Sequence, residues 1–290
     1  MSNNIQFSLV SPAIRTENWM RVYNSILSDN CKFELIFAGP RKPEFKLPDN
    51  FRYINTNVKP AQCWEILYKN SKGDYIMNIG DDLIFRTKNP LNKLTQELER
   101  YKNQKILIGL RYKFRNVEQT KHMTFKINND QDQTELLPMC PPLRRKLWYK
   151  YKRFDSRFIC TLMEADFFLR MARDGYKVIN SEVLITEDRD MEDVRKMSRD
   201  YMRIDRKLML KLWTKKENGE IVFSKTRNEP VKNFLEKNLL TKSQRPCGRW
   251  SNNNILYNYL ITSKLFYIFN LYYYARLQLY KVKKIFNGYK

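Results

Sequence analysis

Two adjacent carboxylates, Asp81 and Asp82, follow an apolar run that has the composition of a buried strand. The run from Tyr75 to Ile79 ends at Gly80, and the acids come directly after that glycine. In open α/β sheets, ligands bind at the carboxyl ends of the strands, where a pair of carboxylates can hold a divalent metal ion. The same residues are also compatible with a solvated Asp-Asp turn, and they do not separate the two interpretations.

A further acid, Glu164, opens a helical pattern that runs to Asp174 and is closed by Gly175. The helix dipole favours a carboxylate in the first turn, which is a sufficient structural explanation for this residue. A carboxylate in this position is also the kind of group that removes a proton from a hydroxyl. Asp166 projects from a different side of the same helix, so we expect it to make a structural bond.

Strands and helices alternate along the segments that must position these acids. The predicted strands are Ile5 to Val10, Phe33 to Ala38, Phe51 to Ile54, Tyr75 to Ile79 and Ile106 to Leu110. The predicted helices are Glu17 to Leu27, Pro60 to Tyr68, Pro90 to Tyr101, Glu164 to Asp174, Met191 to Trp213 and Pro230 to Leu239. This alternation predicts an α/β fold with a mainly parallel sheet and helices on both faces.

The composition indicates a globular protein with reduced thiols. The chain has 290 residues, 42% of them hydrophobic and 14% aromatic, so it can bury a full core. Its five cysteines are far apart and form no C-x-x-C pair, which predicts a cytoplasmic compartment. The first residues lack a basic patch followed by an apolar run, so no secretory signal is predicted.

The net charge of +23 predicts an anionic partner or surface. The basic stretch from Leu143 to Trp148 is either a solvated face or part of an acceptor channel. Residues 251–290 predict a basic, aromatic amphipathic helix, because no acid follows Glu236 and eleven Tyr and Phe residues lie beyond residue 254. Such a helix either lies on an anionic membrane surface or packs on the catalytic domain. Polar interruptions argue against a membrane-spanning helix.

Several short motifs, in this order and spacing, resemble the inverting nucleotide-sugar glycosyltransferases with the GT-A fold that are called family 2. The resemblance covers about Gln6 to Thr186. It is carried by Phe7 to Pro12, Glu34 to Phe37, Lys72 to Ile76, Asp81-Asp82, Phe154 to Phe158 and Glu164 to Val178. It implies a GT-A catalytic domain over residues 1–190, with a nucleotide-sugar half over 1–85 and an acceptor half over 86–190. Residues 191–250 then form a helical extension.

The resemblance implies a metal site at the paired acids. In the family, a D-x-D motif holds the divalent cation that bridges the donor diphosphate, and Gly80-Asp81-Asp82 matches it. Asp82 is therefore the implied ligand of Mn²⁺ or Mg²⁺, and Asp81 is its partner. A histidine that often completes the site in the family is replaced here by Glu187-Asp188.

The resemblance also implies a general base and a set of donor contacts. The family's Glu-Asp pair, whose Asp is the base, aligns with Met163-Glu164, so Glu164 is the implied base. The implied donor contacts are Ser11, Pro12, Ala13, Gly39, Lys59, Gln62 and Asp81. A lysine on a loop, such as Lys59, is also commonly just solvated. The family's base-contacting Asp is replaced by Ala38-Gly39-Pro40, so the resemblance does not identify the nucleotide base.

The function implied is metal-assisted, inverting transfer of a hexose from a nucleotide-diphosphate sugar to a glycan or lipid-linked acceptor. We expect a cytoplasmic protein with peripheral attachment to the inner face of a membrane, acting in surface glycan or glycolipid synthesis. One alternative is a non-catalytic nucleic-acid-binding protein, for which the charge and the many tyrosines would be natural. No recognised nucleic-acid motif is present, so no nucleic-acid partner is expected. Another alternative is a degenerate transferase fold that only binds.

Overall fold

A five-stranded sheet lies at the centre of the computed structural model, which describes residues 6–28, 31–56, 58–114, 117–119, 123–126, 134–187 and 195–234. In spatial order its strands are β10 (Leu143–Arg144), β4 (Tyr75–Asn78), β1 (Phe7–Pro12), β2 (Phe33–Gly39) and β3 (Phe51–Asn55). Strands β4, β1, β2 and β3 are parallel, and β10 is antiparallel at the edge. The predicted mainly parallel sheet is therefore confirmed.

A second sheet of four strands continues the fold. Its spatial order is β5 (Leu83–Phe85), β11 (Lys177–Glu187), β6 (Ile106–Phe114) and β7 (Val117–Gln119). Strand β11 is parallel to β6 and antiparallel to β5. Two hairpins, β8 (Met123–Lys126) with β9 (Thr134–Leu137) and β12 (Thr214–Glu217) with β13 (Glu220–Phe223), complete the described strands.

Six α-helices are described. They are α1 (Trp19–Ile26), α2 (Pro60–Asn70), α3 (Pro90–Arg100), α4 (Arg145–Lys150), α5 (Met163–Arg173) and α6 (Arg195–Trp213). A proline at the first position of α2 and of α3 fixes a helical φ where no backbone donor is needed, which is why both helices begin where the sequence predicts. Gly175 follows α5 with a φ of +84°, as expected for the residue that closes a helix.

The two faces of the central sheet bury separate apolar clusters, because successive strand residues point to opposite sides. Val10, Ile36 and Ile76 pack with α2, α5 and α6 on one face. Leu9 and Met77 pack with α1, α3 and the second sheet on the other face. Helices therefore cover both faces, as the sequence predicts.

Helix α6 and the segment after it pack into the apolar cluster on the α2 and α5 face of the sheet. Leu208, Met209 and Trp213 of α6 are buried in it together with Phe234. Among the helices described, none is long and apolar enough to cross a membrane. The tail over residues 251–290 lies outside the described residues, so both interpretations of it stay predictions.

The helix predicted from Pro230 to Leu239 is wrong at its start, because residues 230–234 have no regular structure. The backbone of this segment is bonded to the loop before α5 instead. The carbonyl of Lys232 accepts from the Ser156 amide at 2.7 Å, and the carbonyl of Phe234 accepts from the Arg153 guanidinium at 3.2 Å. These bonds tie the segment to the loop before α5, and they take the place of the bonds within a helix. Residues 235–239 lie outside the described part.

Candidate functional site

The paired acids lie in the short connection between β4 and β5, at the carboxyl end of the central parallel strands. Asp81 is 2% exposed and Asp82 is 3% exposed. The solvated Asp-Asp turn is therefore excluded. Two buried carboxylates side by side repel each other and need a positive partner.

Arg15, on the loop after β1, is that partner. Its guanidinium donates to Asp81 Oδ1 from Nε at 3.1 Å and from Nη2 at 2.7 Å, and to Asp82 Oδ2 from Nη1 at 2.7 Å. The backbone amides of Ile14 and Arg15 donate to Asp81 Oδ2 at 2.7 and 2.9 Å. Burial raises the pKa of Asp81, and the Arg15 charge and the two amides oppose that rise. The acid pair thus ties the end of β4 to the end of β1.

Two glycines allow the chain to approach this closely. A Cβ on Gly80 would lie 2.5 Å from Asp82 Oδ1, so the carboxylate of Asp82 occupies the space that a side chain at residue 80 would need. A Cβ on Gly39 would lie 2.0 Å from the carbonyl oxygen of Ala13. Gly39 therefore holds the ends of β1 and β2 together, whether or not it also contacts a donor.

The acid pair can accept a divalent ion only in a particular way. Among the residues described, no group of three or more His, Cys, Asp or Glu side chains could hold a metal by themselves. Mg²⁺, however, is commonly bound by one or two carboxylates together with substrate phosphates and water. Asp82 has the chemistry that this requires, but its Oδ2 accepts from Arg15, and both oxygens of Asp81 accept from Arg15 or Ile14, so an ion there would share or replace a bond of Arg15. The ion itself stays a proposal.

Glu164 lies in the first turn of α5 and is partly buried. Burial raises its pKa to about 7, with a further contribution from the negative charge of Asp205. A carboxylate with a pKa near neutrality is suited to accept and release a proton under physiological conditions. This pKa is compatible with a general base, and the catalytic role of Glu164 stays a prediction.

The loop that leads into α5 is held by Asp205 of α6. This fully buried carboxylate accepts from the backbone amides of Ile159, Cys160 and Thr161 at 2.9, 2.8 and 2.8 Å. Three amide donors stabilise an ionised carboxylate strongly. Asp205 therefore fixes the backbone immediately before Glu164 and also places a negative charge near it.

The start of α2 lies beside the loop that leads into α5. The Ala61 amide donates to the Ile159 carbonyl at 3.2 Å, and Asp205 holds the same loop. Both helices pack on the same face of the central sheet. The fold therefore brings together the segments that carry Lys59 and Glu164, although they are far apart in sequence.

Asp166 belongs to a separate, structural network. Its Oδ1 accepts from Trp213 Nε1 at 2.9 Å and from Arg227 Nε at 2.8 Å, while Arg170 lies 3.2 Å from Oδ2. Arg227 also donates to Asp155 Oδ2 at 2.6 Å. The structural bond predicted for Asp166 is confirmed, and it fastens α5 to residues 213–227.

The predicted donor contacts lie at the same edge of the sheet. Ser11 and Pro12 end β1, and Ala13 donates its amide to Ala38 O at 2.8 Å beside Gly39. Lys59 precedes α2, and burial lowers its pKa, so it is not a simply solvated lysine. Gln62 is buried in α2. Their roles toward a donor stay predictions.

Asn78, the last residue of β4, was not recognised as a candidate from the sequence. It is 8% exposed, and neither amide atom has a hydrogen-bond partner among the described residues. A buried amide without partners is costly, which is typical of a functional site rather than of a core. Asn78 follows Ile76 on the α2 and α5 face of the sheet. Its polarity inside an apolar strand was the signal available in the sequence.

Other functional candidates left weaker signals in the sequence. Arg15 is one of 54 basic residues, and Asp205 lies in a helix with many charges of both signs. Neither can be distinguished without the fold. Glu187, which stands where the family often has histidine, pairs in register with Leu83 and accepts a hydrogen bond from the Tyr112 hydroxyl. Asp188 lies outside the described residues.

No protein-family model matches this chain, and no curated protein matches its sequence. Solved structures of S. aureus TarS align with part of this chain. TarS aligns at 15% identity over 68% of this chain and 39% of that chain, with a TM-score of 0.49. TarS 1-349 in complex with UDP-GlcNAc aligns at 15% identity over 69% and 64%, with a TM-score of 0.47. This chain thus spans less than two thirds of either structure, and similarity at this level indicates neither substrate nor activity.

Proposed function

We propose that this protein is an inverting glycosyltransferase of the GT-A type, which transfers a sugar from a nucleoside diphosphate sugar to an acceptor hydroxyl. The observation that carries the proposal is the pair of buried carboxylates, Asp81 and Asp82, at the carboxyl end of β4, on a sheet against which the helix with Glu164 in its first turn packs. The pair follows a central strand, and Glu164 begins a helix. This is the arrangement that the resemblance of the sequence motifs implies.

The reaction is a single displacement at the anomeric carbon. The acceptor oxygen forms a bond to that carbon while the bond to the diphosphate oxygen breaks, which inverts the configuration. Glu164 accepts the proton of the acceptor hydroxyl, for which its pKa of about 7 is suitable. The electron pair of the broken bond leaves with the nucleoside diphosphate.

The nucleoside diphosphate requires compensation of its negative charge. Asp82 would hold Mn²⁺ or Mg²⁺, and the bound ion would neutralise the leaving diphosphate. Lys59 adds a cation directly before α2, where the Ala61 amide donates to the Ile159 carbonyl of the loop that leads into α5. Asn78 offers an unsatisfied amide at the end of β4 to a polar group of the donor.

A thermal-shift screen of nucleoside diphosphate sugars, with Mn²⁺ or with EDTA, tests the donor site. We expect a cognate donor to raise the melting temperature only with the metal, and Asp82→Ala to abolish this shift. Equal stabilisation in EDTA would contradict the metal site and favour direct recognition by arginine and lysine.

Sugar transfer is then measured with the donor that the screen identifies. Glu164→Gln keeps the shape of the side chain but cannot accept a proton, so transfer should fall by about 10²-fold or more while donor binding is retained. Glu182→Gln is the matched control. The Glu182 carboxylate is exposed on β11, and its ion pair with the exposed Lys93 is long, at 3.9 Å, and therefore weak. Donor binding without transfer in the unmodified protein would favour the binding-only alternative.

A further inference from the structure

A basic groove opens at the end of the molecule opposite the candidate site. Its cavity has a volume of about 540 Å³ and lies between the start of β6, the end of α3, β10 and α4. Five cations line it, namely Lys102, Lys105, Arg144, Lys146 and Lys150, and none of the residues lining it is acidic. An adjoining cavity of about 730 Å³ shares Tyr75, Arg144 and Lys146 with it and adds Arg145 together with two acids, Asp74 and Glu99.

The acids around the groove do not cancel this charge. Glu99 pairs with Lys102 at 3.0 Å, and Asp174 lies 3.4 Å from Lys105 and 3.9 Å from Lys150. All three pairs are between exposed side chains, so solvent screens them strongly. Lys146 is exposed and forms no ion pair with a described residue. A concave surface lined by one sign of charge concentrates ions of the opposite sign.

We propose that this groove binds an acidic glycan chain, which is the acceptor or its growing product. The inference rests on the proposed function, since it names the class of acceptor. A groove that recedes between two sheets fits an extended polymer rather than a flat membrane surface. Most of its cations are lysines, which act as point charges and select repeated negative charge rather than one geometry.

The aromatic residues of the groove argue against single-stranded nucleic acid as the partner. Recognition of single strands relies on ring faces on which bases stack. Here the guanidinium of Arg144 lies 5.7 Å from the ring centre of Tyr75, and Lys105 Nζ lies 5.9 Å from that of Tyr176. Arg144 Nε also donates to the Tyr75 hydroxyl at 3.1 Å. A cation therefore lies over one face of Tyr75 and of Tyr176, which are two of the three tyrosines that line the groove.

The groove lies one strand length from the candidate site. Tyr75 begins β4 at the groove, and Asp81-Asp82 follow the other end of the same strand. Asp82 is seven positions after Tyr75, which corresponds to at most about 25 Å of extended chain. A glycan of several sugars is long enough to span that distance.

Binding is tested on the full chain with a fluorescent polygalacturonate oligosaccharide of about ten sugars, and with a neutral maltodextrin of equal length. Lys102→Glu with Lys146→Glu reverses two groove charges. Lys216→Glu with Lys225→Glu makes the same change in net charge at exposed positions around the β12–β13 hairpin. We expect the groove variant to lose at least about tenfold in affinity and to show a weaker salt dependence, and the control to change by less than about threefold.

Equal losses in the two variants would overturn the groove and leave only the net charge of the chain. Equal binding of maltodextrin would also overturn it. Tighter binding of a ten-nucleotide single-stranded DNA, with the same loss in the groove variant, would replace the glycan by nucleic acid and so overturn the proposal.

The binding assay needs no donor, so it is independent of the transfer reaction. Transfer to a neutral acceptor that the groove substitutions leave unchanged would contradict the acceptor role of the groove but not the proposed function. Groove binding without transfer to any acceptor would contradict the proposed function and the acceptor role.

Discussion

At the scale of single residues, the candidate site depends on two residues that take no part in the proposed reaction. Arg15 compensates the charge of the paired acids, and Asp205 holds the loop before Glu164. Arg15 bonds to both Asp81 and Asp82 at 2.7 Å. An ion that binds Asp82 must therefore share or replace one bond of Arg15. Asp205 acts in the opposite sense, because it adds negative charge near Glu164 and raises its pKa.

The pKa of Glu164 predicts the pH dependence of transfer. The base must be ionised to accept a proton, so kcat/KM should rise as the pH increases through about 7 and become constant above it. Asp205→Asn removes a charge that raises this pKa, so the midpoint should move to lower pH. The measurement is a pH–rate profile of each protein, with Glu182→Gln as the control whose midpoint stays in place.

Asp205→Asn should also lower stability. An amide cannot reproduce the three backbone hydrogen bonds that the carboxylate accepts, and we expect a loss of about 2–4 kcal/mol. Urea unfolding measures this loss. If Asp205→Asn is folded and the midpoint of its pH–rate profile stays near pH 7, the charge of Asp205 does not act on Glu164.

At the scale of elements, the site is held by contacts between the ends of strands and by a helix from outside the predicted catalytic domain. Helix α6 provides Asp205, and the segment after it provides Arg227, which bridges Asp155 and Asp166. Asp205 binds the loop before α5, and Arg227 binds Asp166 within α5. These two contacts help to place Glu164. The division of the chain at residue 190 stays a prediction, but the packing crosses it.

The ends of β1 and β2 approach each other closely at Gly39, which gives a prediction for this residue. A methyl group there would meet the Ala13 carbonyl at 2.0 Å, and the Ala13 amide is itself bonded to Ala38 O at 2.8 Å. Backbone cannot move aside as a flexible side chain can, so Gly39→Ala should cost about 3 kcal/mol or more. Gly219→Ala is the control, since its φ of +84° is unfavourable but nothing lies within 4 Å.

Urea unfolding of both glycine variants separates the two effects. The control should lose only about 1–2 kcal/mol, which is the cost of a left-handed conformation for a residue with a side chain. If Gly39→Ala lost no more than Gly219→Ala, the β1 and β2 ends would not be as closely packed as the structure shows.

At the scale of the whole molecule, the tail is a second region that is rich in positive charge, besides the basic groove. Residues 251–290 carry six basic residues and no acid, and each basic residue near an anionic surface contributes roughly 1 kcal/mol. If the tail lies on a membrane surface rather than on the catalytic domain, removal of residues 251–290 should leave the melting temperature almost unchanged.

The same truncation tests the membrane interpretation of the tail. The full chain should sediment with vesicles that contain acidic lipid and be released at high salt, whereas the truncated chain should remain in the supernatant. The Lys216→Glu, Lys225→Glu variant of the full chain is the control for net charge. Unfolding of the truncated chain would instead show that the tail packs on the catalytic domain.

The local pattern of the sequence determined the elements and their class. Apolar alternation, proline at helix starts and glycine after α5 depend on residues a few positions apart, so the strands, helices and mainly parallel sheet could be predicted. The acids Asp82 and Glu164 could be singled out because each follows or begins such an element. The predicted helix at Pro230 failed because its carbonyls bond to the loop before α5, and these partners are 76 and 81 residues distant in sequence.

Only the tertiary structure decided how the acids are partnered. Arg15 and Asp81 are 66 residues apart, and Asp205 lies 44 to 46 residues from the amides that it accepts from. No periodicity links such positions, since they meet through the order of strands in the sheet and the packing of α6. The pKa of Glu164 is likewise a property of burial and of a neighbouring charge, and neither is encoded in its local sequence.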